Sequence, residues 1–470
     1  MHDLLRKPLP ELPPVLPIPT VARTFHTSIR PPGSKSLTNR AMLLAALARG
    51  TSTLRRPLLD ADDARRMLAA LAALGARIDA SNPDEVSVQG VNGRWHTPAT
   101  GLTLDLGNAG TATRFLAAAA ILSPAPITID GNARMRQRPI GELAAAIRSL
   151  GAEIEYLGGK NLPPIRIVPP AHPRGTEHAL AIPTTQSSQF ISALLLIAPW
   201  LELGVTLRML GEITSPSYIE MTVGLLQKLG AQVQCTGDLR VIRVGPPRLP
   251  AGSPMGLGLN AFDYAVEPDA SGATYLWAAA ALSPDSSCTV LDLGPDSLQG
   301  DAQFTELLAL MGAVITRPDH ASPAGVKCRG PRSLKPILAD MSRMPDASMT
   351  LASLACFAPG TSVLRGLRTL RVKETDRIAA MQKELAKIGV EVKPGVQGDD
   401  GAISITPPRT GIDCSPSAPP VEFDTYDDHR MAMSLALIGL RRPNVFIKDP
   451  GCVAKTYPTF WQDLASIWRD

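Results

Sequence analysis

One five-residue pattern recurs along the chain: an apolar residue, glycine, a small residue, any residue, then Ile or Val. It appears as LGARI (74–78), LGAEI (150–154), LGAQV (229–233), MGAVI (311–315) and IGVEV (388–392). The glycines at 75, 151, 230, 312 and 389 lie 76, 79, 82 and 77 residues apart. Each follows an amphipathic run such as ARRMLAALAAL or IAAMQKELAKI and precedes a strand-like segment. This is the signature of a helix closed by a glycine whose left-handed conformation turns the chain into a strand. Near-constant spacing predicts a repeated α/β unit, about six of which fill the chain. Each unit also carries a more apolar run: FLAAAAIL, FISALLLIA, ATYLWAAAAL, MTLASLACFA and RMAMSLALIGL. With so little polar face, these are predicted as buried helices. The sum is a βαβ-rich α/β globule rather than an open solenoid.

Composition narrows the class. A chain of 470 residues, 44% hydrophobic and 19% charged, reads as soluble, with two or three domains. The net charge of +4 is small and no basic tract is interleaved with aromatics, so nucleic acid is not expected as a partner. The six cysteines include no C-x-x-C pair, and a chain of this size needs no disulfide staples. A reducing, cytoplasmic setting is expected. The longest apolar stretch, Phe190 to Trp200, is too short for a bilayer span and contains Pro199. Residues 1–20, with six prolines, read as a poorly ordered lead-in.

Cations gather at predicted helix starts. Gly33-Ser34-Lys35-Ser36-Leu37-Thr38-Asn39-Arg40 leads straight into AMLLAALA. A helix start offers unpaired N–H groups and a positive dipole end, so it suits an anion. Leu106-Gly107-Asn108-Ala109-Gly110-Thr111-Ala112-Thr113-Arg114 opens FLAAAAIL, and Thr184-Thr185-Gln186-Ser187-Ser188-Gln189 opens FISALLLIA. Hydroxyls at the latter can cap the helix, bind phosphate, or do both. Arg371-Val372-Lys373-Glu374-Thr375-Asp376-Arg377 sets a carboxyl between two cations, which also fits a surface ion-pair ladder. Tyr426-Asp427-Asp428-His429-Arg430 opens RMAMSLALIGL, and Ala454-Lys455-Thr456-Tyr457-Pro458 precedes a short helix. Asp346 stands just before MTLASLACFA, where it is a candidate N-cap. Each start taken singly has a bland reading. Five starts bearing Lys or Arg where the dipole disfavours them point to a ligand with several negative charges.

The motifs GSKSLTNRA, LGNAGTATR, RMRQRPIGEL, SSQF, PDASM, VKETDR, DDHRMAM and AKTYP, in this order over about residues 30–460, resemble those of the EPSP synthase family of enolpyruvyl transferases. The resemblance implies a two-domain inside-out α/β barrel of six βαβαββ repeats, three per domain. One domain is expected at 34–266, the other at 21–33 plus 267–470, with the active site in the cleft between them. It implies transfer of the enolpyruvyl group of phosphoenolpyruvate to the 5-hydroxyl of shikimate 3-phosphate, releasing phosphate through a tetrahedral ketal, in aromatic amino acid biosynthesis. Carried over by motif, Lys35, Gly110, Arg138, Gln189, Arg377, Arg430 and Lys455 would bind phosphoenolpyruvate. Lys35, Ser36, Arg40, Ser187, Ser188, Gln189, Ser215, Tyr218, Asp346 and Lys373 would hold shikimate 3-phosphate. Asp346 would take the proton from the 5-hydroxyl, Glu374 would protonate the methylene carbon, and Lys35 would assist at the reacting oxygen. No cofactor or metal is expected, and no partner beyond the two substrates; the chain is expected to act as a monomer. Glyphosate, which in this family occupies the phosphoenolpyruvate site, is expected to find room beside Gly110.

Four positions depart from the commonest family pattern: Thr369 for Asn, Phe115 for Pro, Gly451 for Lys, and Pro216-Ser217 before Tyr218. The sister enzyme acting on UDP-N-acetylglucosamine typically has a reactive Cys in the loop that here reads ARMRQR, and the first cysteine of this chain is Cys235. A noncatalytic repeat scaffold or degenerate paralogue would be expected to have lost Lys35, Asp346 or Glu374, and all three are present.

Overall fold

The computed structural model describes residues 2–183, 187–247, 257–294, 296–318, 325–396 and 398–468. Contacts divide the chain into two units: one comprises Met1–Pro32 and Glu267–Asp470, the other Gly33–Val266.

In the Gly33–Val266 unit the repeat is plain in the stretch from Leu102 to Val168. Strand Leu102–Asp105 runs parallel to Ile127–Asp130, from Leu102 opposite Ile127 to Asp105 opposite Asp130. Ile165–Val168 then pairs antiparallel with Ile127–Asp130, and Glu153–Tyr156 antiparallel with Ile165–Val168. Helix Gly110–Ala119 joins the first two strands, and Gly141–Ser149 leads into Glu153–Tyr156. This is one βαβαββ unit. The unit has two more four-stranded sheets, one of which takes its parallel partner for Thr51–Arg55 from Asp263–Ala265, at the far end of the segment.

Among its described residues the other unit has two four-stranded sheets and one of three strands. His26–Ile29, well before the rest of its sheet in sequence, pairs parallel with Ser287–Leu291. The three-stranded sheet corrects one expectation. Residues 2–20 are not a loose lead-in: Val15–Ile18 pairs antiparallel with Val445–Lys448, itself parallel to Val421–Phe423. Leu5 and Leu16 are fully buried. The prolines permit this because Val15–Ile18 is an edge strand, where Pro17 gives up no ladder donor that the sheet requires.

The recurrent glycines adopt the expected conformation, with φ between +78° and +103° at Gly75, Gly151, Gly230, Gly312 and Gly389. The apolar runs are buried helices: every residue of Gly110–Ala119, Ala270–Leu282, Ser348–Ala355 and His429–Gly439 is buried. Helices such as Asp62–Ala73 and Arg377–Ala386 bury one face only. Buried helices have no solvent to satisfy their ends, so whatever meets those ends is selected by chemistry.

Candidate active site

The Gly33–Val266 unit gathers one set of predicted residues. Ser34 caps helix Lys35–Leu47 by accepting from the Leu37 amide at 3.4 Å, leaving Lys35 in the first turn. The Lys35 ammonium lies 3.2 Å from Asp63 Oδ2, and Asp63 is buried. One turn on, Arg40 is only 2% exposed. Its Nε donates to Thr222 Oγ1 (2.8 Å), Nη1 to the Ser36 carbonyl (2.9 Å), and Nη2 to Ser192 Oγ and the Tyr218 carbonyl (3.2 Å each). The Phe115 ring lies 5.1 Å from its guanidinium carbon. No carboxylate pairs with Arg40 among the described residues. Burial pushes its pKa down to about 10. A buried cation without a counter-ion is costly and is relieved by an anion.

Gly110 opens its helix against Arg138: a Cβ built there would lie 2.8 Å from Nη2 and 3.0 Å from Nη1. A methyl at this position would therefore meet the Arg138 guanidinium. Arg138 also donates to Asn108 Oδ1 at 3.2 Å. Arg114 Nη2, donating to the Pro139 carbonyl at 2.9 Å, ties the helix to the segment carrying Arg138. Ser187 caps helix Ser188–Ile197 through the Gln189 amide, Ser188 is buried in its first turn, and Gln189 Nε2 donates to Thr111 Oγ1 (3.3 Å). Thr184, Thr185 and Gln186 lie outside the described residues. Ser215 precedes helix Pro216–Lys228 with φ +49°, a left-handed residue that sets the angle at which Tyr218 enters.

The other unit holds an ion cluster. Arg377, 1% exposed, donates Nε to Asp428 Oδ2 (2.7 Å), Nη1 to Asp346 Oδ1 (2.9 Å), and Nη2 to Glu374 Oε2 (3.0 Å) and Asp428 Oδ1 (3.2 Å). Asp346 also meets Lys373 (3.1 Å) and Arg430 (3.3 Å), and Glu374 Oε1 meets Lys455 (3.2 Å). Three carboxylates and four cations are thus interleaved, so the motif is no surface ladder. Nor does Asp346 hold the N-cap position of helix Ser348–Ala355: Ala347 does, and Asp346 lies in the turn Pro345–Ala347. Burial alone would raise the Asp346 pKa, but Lys373, Arg430 and Arg377 hold it well below the usual carboxylate range. For Arg377, burial is outweighed by Asp428, Glu374 and Asp346, which raise it above the ordinary arginine value.

Three contributors escaped the motif reading. Asp63 pairs with Lys35, and the acidic first turn of helix Asp62–Ala73 was its available signal. Asp428, fully buried, caps helix His429–Gly439 through the Arg430 amide while gripping Arg377. Asp301, buried and bonded to the Ser271 hydroxyl, sits within the electrostatic reach of Arg430. Among the described residues no group of three or more His, Cys, Asp or Glu could hold a metal ion, and no helix is long and apolar enough to cross a membrane.

Repeated α/β units whose buried helices begin among cations define an enzyme that handles small, multiply charged anions. Residues 21–464 match the model of the family described as EPSP synthase (3-phosphoshikimate 1-carboxyvinyltransferase), and the chain belongs to that family. It is 41% identical over 456 residues to the 3-phosphoshikimate 1-carboxyvinyltransferase of Thiobacillus denitrificans, covering 97% of this chain and 99% of the relative. To the enzyme of the same name from Vibrio cholerae it is 42% identical over 439 residues, 93% of this chain and 96% of the relative. An EPSP synthase structure from Acinetobacter baumannii is similar with a TM-score of 0.77 and 27% identity, covering 96% of this chain and 98% of the other.

Proposed function

We propose that the chain transfers the enolpyruvyl group of phosphoenolpyruvate to the 5-hydroxyl of shikimate 3-phosphate, and that the residues described above carry the reaction. Asp346 accepts the 5-hydroxyl proton as that oxygen attacks C2 of phosphoenolpyruvate. Glu374 delivers a proton to the methylene carbon, giving a tetrahedral ketal. Loss of phosphate and of a methyl proton then restores the enol ether, with Lys35 assisting at the departing oxygen. Arg377, Arg430, Lys455, Arg138, Gln189 and Gly110 serve phosphoenolpyruvate. Ser36, Arg40, Ser187, Ser188, Gln189, Ser215, Tyr218 and Lys373 serve shikimate 3-phosphate.

The observation that carries this assignment is the buried interleaving of Asp346 and Glu374 with Lys373, Arg377, Arg430 and Lys455. Lys373, Arg430 and Arg377 keep Asp346 ionised near neutrality, and it becomes an effective base once the arriving substrate anions draw those cations away. Glu374 needs the opposite state. A phosphate or carboxylate that draws Lys455 and Arg377 to itself weakens their hold on Glu374, so the arriving substrate readies its own proton donor. The same cations spread charge off the departing phosphate.

One assay tests the reading: phosphate release from phosphoenolpyruvate, without added metal, strictly dependent on shikimate 3-phosphate. Release that ignores shikimate 3-phosphate overturns it, and no release overturns it and returns the scaffold reading to favour.

A further inference from the structure

Helix Arg377–Ala386 grips the segment ahead of helix His429–Gly439 at two places. At its start Arg377 holds the Asp428 carboxylate. Seven residues on, about 10 Å along the axis, Glu384 holds the same segment from inside the protein. The Glu384 side chain is fully buried. Its Oε1 accepts from the Tyr426 hydroxyl (2.5 Å), and its Oε2 from the Asp424 amide (2.9 Å) and the Lys387 ammonium (2.5 Å). Lys387 reaches on to Asp424 Oδ2 (3.1 Å) and the Glu422 carbonyl (2.9 Å), and the Lys383 ammonium lies 5.6 Å from the Tyr426 ring centre.

What this holds is strained. Tyr426 and Asp427 are consecutive non-glycine residues in the left-handed region, with φ of +57° and +53°. Each such residue is disfavoured and persists only where its surroundings impose it. The next residue is Asp428, followed two positions on by Arg430, which meets Asp346.

We infer that Glu384 and Tyr426 form a positioning clamp, remote from the reacting atoms, that imposes this backbone and thereby aims Asp428 and Arg430 into the ion cluster. The inference rests on the proposed function in one respect: Arg430 is taken to serve phosphoenolpyruvate. The clamp should therefore be felt as affinity for phosphoenolpyruvate and not for shikimate 3-phosphate.

Tyr426→Phe removes one hydroxyl and keeps the ring beside Lys383. We expect KM for phosphoenolpyruvate to rise about fivefold or more, with KM for shikimate 3-phosphate and kcat within about twofold. Glu384→Gln presents an amide N–H₂ to donors and should behave alike. The double variant should be no worse than the more severe single one, because Tyr426 acts through its contact with Glu384. Amide hydrogen exchange reads the clamp whatever the substrate: residues 425–430 should exchange at least about tenfold faster in Tyr426→Phe, while 378–386 stay protected. Unchanged exchange at 425–430 overturns the clamp, and so do equal rises in both KM values. If Glu384→Gln does not fold, Tyr426→Phe decides alone. Faster local exchange in a protein whose wild type releases no phosphate keeps the clamp and discards the reaction.

Discussion

Arg377 spends its guanidinium on three carboxylates at once, Asp346, Glu374 and Asp428, and the proposed proton transfers would run through two of them. Asp346→Asn and Glu374→Gln should each lower turnover by about 10²-fold or more with the fold intact, as for lost proton-transfer groups. Turnover within a few-fold of wild type in steady-state assays removes that residue from the mechanism. Gly110→Ala should act through Arg138, whose guanidinium lies 2.8 Å from the added methyl and has to move. The expected outcome is a raised KM for phosphoenolpyruvate together with weaker competitive inhibition by glyphosate. Equal, non-competitive inhibition of both forms contradicts it. Burial pushes Asp301 up to about 6, against the pull of Arg430 and the Ser271 hydroxyl, with Asp346 and Asp269 adding to the rise. A carboxyl whose folded pKa exceeds its unfolded value of about 3.9 binds protons more tightly when folded. Stability therefore falls as pH climbs from about 4 through about 6. Asp301→Asn, which keeps an acceptor for Ser271, should gain in melting temperature relative to wild type between pH 4.5 and pH 7. A difference constant with pH refutes the assignment.

At the scale of elements, Arg40 joins four helices: its own, and those carrying Phe115, Ser192, and Tyr218 with Thr222. Arg40→Met keeps much of the volume and removes the charge. It should leave the unit folded yet raise KM for shikimate 3-phosphate by tenfold or more, as calorimetric titration with that ligand would show directly; unaltered affinity would exclude Arg40 from binding. The placement of these helices was largely legible in the chain. Apolar runs without a polar face could only be buried, and a glycine after each amphipathic run could only end it. The partners of Arg40 were not legible, because Ser192 and Thr222 lie 152 and 182 residues away and carry no signal of their own.

For the whole molecule, residues 2–20 are structural. Deleting them removes an edge strand, uncovers the face packed by Leu5 and Leu16, and breaks the bond from the Asp449 amide to the Pro14 carbonyl (2.9 Å). Asp449 sits six residues from Lys455, so the deletion should lower melting temperature by several degrees and weaken phosphoenolpyruvate binding. Unchanged melting by calorimetry would return these residues to the status of a loose lead-in.

The repeat, its helix ends, the buried helices and the anionic character of the ligand were determined by the chain alone, since each follows from local spacing and from charge set against a helix dipole. The tertiary structure alone decided which carboxylate meets which cation, that Asp346 is ionised by its neighbours and not a helix cap, that Asp63, Asp428 and Asp301 stand beside the predicted groups, and that a proline-rich start forms a strand. Those outcomes depend on contacts between residues remote in sequence. A single side chain records its chemistry, but not the partners that folding brings to it.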